Sequence, residues 1–165
     1  MSASISEKVI RRLYEITHNY HLGFDAQIEQ LLRMGLERFN LDIGILASIH
    51  DDIYIVEHCV VPKNIPIRKG VEFTLMNTLC ELTYRADGPV ALEHIGLHKI
   101  HAAHPAYLSG ALESYIGIPI KLNGAVYGTL NFSSPRPYER QFLDVDIDAL
   151  QLMASWIEVE MIRRQ

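Results

Sequence analysis

The sequence predicts an α+β domain: a central antiparallel β-sheet, with the helices at the two ends of the chain packed on one face. Three observations carry that expectation. Apolar residues recur at helical spacing near both termini. Two stretches alternate with period two and turn back on themselves, at Asp51–Asp52 and at Asn123–Gly124. The 165 residues suffice for one domain with a core of its own, and neither an internal repeat nor a low-complexity segment divides them.

The elements follow in order. Ile5, Val9, Leu13 and Ile16 place a helix over residues 5–18, and a break follows at His21–Gly23. Asp25 is placed to cap a second helix over residues 26–39, whose stripe is Ile28, Leu31, Leu32 and Leu36. Ile43, Ile45, Ala47 and Ile49 alternate; Ile53, Ile55 and Val56 resume after the turn. Residues 63–70 read as a loop closed by Gly70, and residues 71–75 as a short strand. A helix is expected over residues 76–86, ending at Asp87–Gly88–Pro89, then a short strand near Val90 and broken helical turns in which Pro105 starts one. Residues 114–134 form the second hairpin. Leu143, Ile147, Leu150, Ala154, Ile157 and Met161 mark a long final helix over residues 140–165. The expected organisation is a single domain with an N-terminal helix in residues 1–22, a core in 24–139 and a C-terminal helix whose ending, "EVEMIRRQ", reads as running on into an output domain; a stand-alone chain beginning at Met1 is the other expectation.

Composition excludes several classes. The net charge of −5 is the wrong sign for a nucleic-acid binder. No apolar run approaches the ~20 residues of a membrane span, and the charged N-terminus lacks a signal-peptide core. Two cysteines, Cys59 and Cys80, are too few for a disulfide framework, which predicts a reduced, cytoplasmic setting.

The second hairpin, "SYIGIPIKLNGAVYGTLNFSS", poses the functional question. A two-residue type I′ turn at Asn123–Gly124 pairs Leu122 with Ala125. Regular alternation then sets Ile116, Ile118, Ile120 and Leu122 on one face with Tyr127, Thr129 and Asn131, with Ser133 continuing the line past the strand end. Tyr115, Gly117 and Pro119 fall on the other face with Val126, Gly128, Leu130 and Phe132. A solvated face has no use for three isoleucines, and a dry core has none for an asparagine amide, which costs ~1–3 kcal/mol if left unpaired. An apolar cavity with a few fixed polar groups satisfies both conditions; bonding of Thr129 and Asn131 to nearby loop backbone is the structural alternative.

The same segment, followed by F-x-x-x-D in "FLDVDIDALQLMASWI", resembles the end of a GAF domain, and the resemblance continues through "TLCELTYRADGPVALEHI", "HPAYLSGALESYIGIPI" and "LYEITHNYHLGFDAQIEQLLRMGLERFNLDIGILASI". It is similar to the GAF domains of bacterial sensor histidine kinases and cyclic-dinucleotide signalling proteins. That resemblance implies terminal helices on one sheet face, often dimerising, and on the other a small-molecule pocket under loops and short helices. It implies that Thr129, Asn131 and Ser133 look into the pocket; Ile118, set on their face by the regular register, would line it beside them. It further implies two-component signalling, a homodimer through the N- and C-terminal helices and a kinase or cyclase output domain.

Individual residues refine the expectation. Met76, Cys80 and Tyr84, four apart, share one face of the expected helix and would line the pocket, with Cys80 reading an effector or redox state; the plainer reading makes Cys80 a small buried hydrophobe. Tyr107 is a candidate pocket wall. Bilin-binding relatives carry a Cys-His pair where this chain has Ala106–Tyr107, so covalent bilin is not expected. Free methionine sulfoxide reductases, also GAF proteins, usually carry three cysteines around the pocket; this chain has two, and enzymatic activity is not expected. His94, His98, His101 and His104 lack a strong metal-binding pattern, and neither metal nor haem is expected. No catalytic nucleophile–base pair stands out, and the ligand is left unnamed.

Overall fold

The structure is a computed structural model, and it describes residues 5–110 and 112–165. The first and last described elements are helices. Helix α1 spans Ile5–His18 and α2 spans Phe24–Phe39. Strands β1 (Ile43–His50) and β2 (Ile53–Val60) form the first hairpin. Strand β3 (Glu72–Thr74), α3 (Cys80–Ala86) and β4 (Val90–Leu92) follow. After α4 (Pro105–Gly110) come β5 (Ser114–Leu122), β6 (Ala125–Ser134) and the long α5 (Asp144–Arg163). This is the order the sequence predicts. The sheet runs β3-β2-β1-β6-β5-β4 and is antiparallel at every pairing, so the last hairpin inserts beside β1.

The two sheet faces bury separate cores. On one side Leu46, Ile116, Ile118, Ile120, Leu130 and Phe132 pack with Val9, Leu13 and Ile16 of α1, Ile28, Leu31 and Leu32 of α2, and Leu150, Met153 and Ile157 of α5. Each fully buried side chain of this size contributes roughly 1.5–3 kcal/mol. The helical stripes thus pack where expected, except that Ile5's side chain lies outside the described residues and Leu143 is half exposed at the N-cap of α5. On the other side Ile43, Ile45, Ala47, Ile49, Tyr54 and Val56 pack with Leu75, Leu79, Cys80, Leu82, Ile95, Ala106 and Tyr115. Gly128 lets β6 close on β1, because a Cβ there would fall on the Ala47 carbonyl.

Several expectations are corrected. Asp25 is no cap: α2 starts at Phe24, behind Gly23 at φ 91°. The final helix starts at Asp144 rather than residue 140; Tyr138 and Phe142 stack at 4.1 Å before it, and Asp146 caps it by accepting the Leu143 N–H at 2.7 Å. The helix expected over residues 76–86 is broken. Leu75–Asn77 is a 3₁₀ turn, Thr78 is extended at φ −121°, and the α-helix begins only at Cys80. The Thr78 hydroxyl donates to the Leu75 carbonyl at 2.8 Å, satisfying the turn locally instead of continuing it.

The largest correction concerns the second hairpin. Asn123 and Gly124, at φ 55° and 82°, make the expected turn, and Leu122 pairs with Ala125. Lys121 then pairs with Val126 but Ile120 with Gly128, so Tyr127 is an extra residue in a β-bulge. From there every residue of β5 is on the face opposite to that given by regular alternation. Ile118 pairs with Leu130 and lies in the helix-side core, not beside Thr129 and Asn131. Tyr115, Gly117 and Pro119 share the face of Ser133, Asn131 and Thr129 instead.

Candidate functional site

The site is built on the sheet face opposite the helices. Strand β6 presents Thr129, Asn131 and Ser133 there, all at least 97% buried. Strand β2 adds Tyr54, β5 adds Tyr115, and α3 covers them with Cys80 and Thr83. None of these side chains exceeds 3% exposure.

The polar atoms of Thr83, Tyr115, Cys80, Tyr54, Asn131 and Thr129 form one connected chain. The Thr83 hydroxyl and Tyr115 phenol lie 2.7 Å apart. The Tyr115 O–H donates to Cys80 Sγ at 3.5 Å, and the Cys80 thiol donates to the Tyr54 oxygen at 3.5 Å. Asn131 Nδ2 donates to Tyr54 at 3.2 Å and to Thr129 Oγ1 at 3.3 Å. The buried amide is thereby paired, which removes most of the cost of placing it in a core. The two phenols occupy the space in front of Asn131. Tyr115 lies across Gly117, where a Cβ would collide with its ring.

Electrostatics reinforce the neutral state of the chain. Burial pushes both phenols well above their ordinary range, and the neighbouring Cys80 adds to the effect. Burial also pushes the Cys80 thiol up, against hydrogen bonds to Thr129, Tyr54 and Tyr115 that favour the thiolate. Cys59, whose Sγ lies 3.9 Å from the Ile67 carbonyl, is likewise raised by burial. Both thiols are thus held protonated, the opposite of what thiolate chemistry needs.

The predicted site residues divide. Cys80, Thr129 and Asn131 are brought together through Tyr54, and Ser133 lies on the same sheet face. Met76 and Tyr84 do not join them, at 51% and 43% exposure: the break at Thr78 takes Met76 off the helix that carries Cys80, while Tyr84 stays on α3 with its ring toward solvent. Ile118 is on the helix side. Tyr107 stands at the edge of the cover, donating its O–H to Glu113 Oε2 at 3.0 Å, while Gly96 N–H donates to Glu113 Oε1 at 3.0 Å. That bond to Glu113 raises the Tyr107 phenol. Tyr54 and Tyr115 are the residues that sequence reasoning missed. The signal for Tyr115 was available: Ile116, Ile118 and Ile120 match Leu130 and Phe132 in character and belong with them.

The cover is built from short pieces: the 3₁₀ turns Leu75–Asn77, Ile95–Leu97 and His101–Ala103, with α3 and α4. Ile95, His104 and Ala106 are buried beneath it, while Leu97, Ile100 and Leu108 are 78%, 75% and 73% exposed. Among the described residues no group of three or more metal-binding side chains converges, and no helix is long and apolar enough to cross a membrane.

Two open depressions lie away from this face. One, of about 360 Å³, runs between α1 and α5 and is lined by Val9, Ile10, Val145, Ala149 and Leu152 among others. The other, of about 380 Å³, lies by Asn40, Ser114, Ser134, Arg136 and Tyr138.

A family model described as GAF domain matches residues 24–161. Solved structures share the fold at low identity. The GAF domain from an Acinetobacter phosphoenolpyruvate-protein phosphotransferase superposes at TM-score 0.74 with 15% identity, covering 96% of this chain and 93% of that one. The phycocyanobilin-bound GAF domain of a cyanobacterial phytochrome gives 0.73 at 16% identity, over 99% and 96%. The free methionine-R-sulfoxide reductase of Neisseria meningitidis, in complex with its substrate, gives 0.70 at 16%, over 99% and 95%. The chromophore-binding domain of the R. palustris bacteriophytochrome RpBphP3 gives 0.75 at 10%, and the chain spans 64% of it. No curated protein matches the sequence.

Proposed function

The chain belongs to the GAF domain family, and from that premise we propose that it is a sensory module of bacterial signal transduction whose pocket is closed at rest by its own tyrosines. The observation that carries this reading is the buried chain Thr83–Tyr115–Cys80–Tyr54–Asn131–Thr129. A face serving stability alone reaches the same packing with apolar side chains, which need no partners. Here Thr129, Asn131 and Ser133 are held ready, and a small effector that supplies acceptors to Asn131 exchanges for the phenols. Cys80 lies beside it, and Tyr107 closes the rim. The cover yields at residues 97–108, where Leu97, Ile100 and Leu108 face solvent.

The signal leaves through the sheet. Strands β5 and β6 carry the pocket residues on one side and Ile118, Leu130 and Phe132 against the helices on the other. The Lys121 N–H donates to Glu158 Oε2 of α5 at 2.7 Å, tying the hairpin turn to the last helix. The outer sides of α1 and α5 expose Ile10 and Tyr14, and Leu152 and Val159, an apolar stripe suited to a homodimer. A kinase or cyclase output domain and a cytoplasmic setting complete the proposal.

A second reading is a dimerisation module whose pocket stays filled. It is favoured by the self-sufficiency of the chain: among the described residues, the buried side-chain atoms without a hydrogen bond lie elsewhere, at Gln27, Arg38 and Asp146. A reductase reading draws nothing from the raised thiols. Native mass spectrometry of protein from its own source separates the two: a retained small molecule, lost in Asn131→Leu, supports sensing. Bare dimer mass in both proteins supports the module, and a monomer in light scattering overturns the shared dimer claim.

A further inference from the structure

The cover over the tyrosine face carries a histidine arrangement that the proposed sensing does not use. His98 Nδ1 accepts two backbone N–H groups, from Ile100 at 3.3 Å and His101 at 3.1 Å, and so closes the 3₁₀ turn His101–Ala103. His104 Nδ1 accepts the Ala106 N–H at 3.0 Å at the start of α4, and its Nε2–H donates to Glu81 at 2.9 Å. An Nδ1 that accepts a hydrogen bond carries no proton, so both rings are neutral in this state. The His98 and His101 rings are stacked, centroids 4.0 Å apart and planes 19° apart.

Burial and the charged surroundings oppose a proton on His101. His101 faces His98, His104 and, from α3, Arg85, and burial together with these groups holds it below its ordinary value. Arg85 pairs with Glu81 at 3.0 Å, so this carboxylate is shared between Arg85 and His104. The remaining histidine of the cover, His94, stands by Glu113 at 3.7 Å.

We propose that residues 98–108 form a proton-operated latch: the neutral, stacked His98–His101 pair holds the cover over Tyr115 and Cys80, and protonation of that pair releases it. A proton on His98 Nδ1 turns an acceptor of two backbone N–H groups into a donor facing them. A proton on His101 sets a cation beside its stacked partner and Arg85. Little buried surface resists, because Leu97, Ile100 and Leu108 already face solvent. The latch acts whether or not an effector uses the pocket.

The sign follows from linkage. A histidine lowered in the closed cover favours closure above its ordinary value, and that preference is lost as pH falls through the lowered one. Hydrogen exchange of residues 95–110, corrected for the intrinsic pH dependence and compared at about pH 7.5 and about pH 5.5, tests it. The expected result is a loss of protection of up to about tenfold per unit by which His101 is lowered, with β5 and β6 unaffected. In His98→Asn the side-chain oxygen takes the place of Nδ1 as an acceptor but does not titrate, and protection at low pH is retained in part. Equal protection of the cover at both pH values, or a His98→Asn response identical to the parent's, overturns the latch. If that variant fails to fold, the parent decides by NMR: the amides of Ile100, His101 and Ala106 must titrate together with the His98 and His101 rings, and static amides beside titrating rings overturn the proposal.

Discussion

Arg38, in the last turn of α2, reaches Asp146, in the first turn of α5, at 2.7 Å, and both side chains are largely buried. The approach is close but poorly aligned for a hydrogen bond, so the contact is chiefly ionic. The other Asp146 oxygen accepts the Leu143 N–H. One carboxylate thus starts the last helix and ties it to the second. Removing either partner leaves a buried charge unpaired. Asp146→Ala is expected to cost about 3–5 kcal/mol, read as a lower urea midpoint with an unchanged slope. Arg38→Ala follows in the same direction, and the double variant costs less than the sum.

The tyrosine chain gives a second expectation. Tyr115→Phe removes the partner of Thr83 and the donor to Cys80 while preserving the ring's packing. The loss is expected to be about 1–3 kcal/mol, measured by chemical denaturation. Tyr54→Phe costs a similar amount, since Asn131 keeps Thr129 but loses its shorter bond.

Gly128→Ala is expected to be among the most damaging single methyl additions in the protein. The added carbon would enter the Ala47 carbonyl, which belongs to backbone and cannot turn aside. A cost above about 3 kcal/mol follows from overpacking and a broken β1–β6 ladder, and the measured quantity is the thermal midpoint. An unchanged midpoint would show that the strands separate freely at this point.

Acid stability should respond to Asp42. Burial raises this carboxyl, but hydrogen bonds from Ser134 Oγ at 2.7 Å and from Arg136, with the guanidinium charge, bring it below its ordinary value. A lowered carboxyl contributes stability above its unfolded value, near 3.8, and loses it as pH falls through the folded value. Ser134→Ala is expected to narrow the stability difference between neutral and acidic solution, measured by denaturation at each pH.

The α+β order, the two helical stripes and the line of Thr129, Asn131 and Ser133 were legible in the sequence because each rests on local periodicity. Ile118 and Met76 were misplaced for one shared reason, whereas Tyr84 keeps its spacing from Cys80 within α3 and is exposed all the same. Alternation and helical spacing carry a register forward only while no residue is inserted and no turn is broken. Tyr127 is such an insertion, and Thr78 such a break. Neither is glycine or proline, the residues that usually mark these events. Tyr54 escaped notice because its neighbours Ile53 and Ile55 carry the stronger apolar signal. The roles of Asp146 and Gln27 depend on distant partners: Gln27 Nε2 donates to the Ile16 and Thr17 carbonyls at 3.1 and 3.2 Å, which no local pattern announces.

The bulge at Tyr127 has a bearing on how this domain tolerates change. Lengthening or shortening the segment between Lys121 and Gly128 by one position is no mere alteration of a surface corner. It would rotate the whole of β5 half a turn, sending three isoleucines toward Asn131 and delivering Tyr115 to the helices. Insertions near this corner are therefore expected to be tolerated in pairs, or to be offset by a second slip in the same strand.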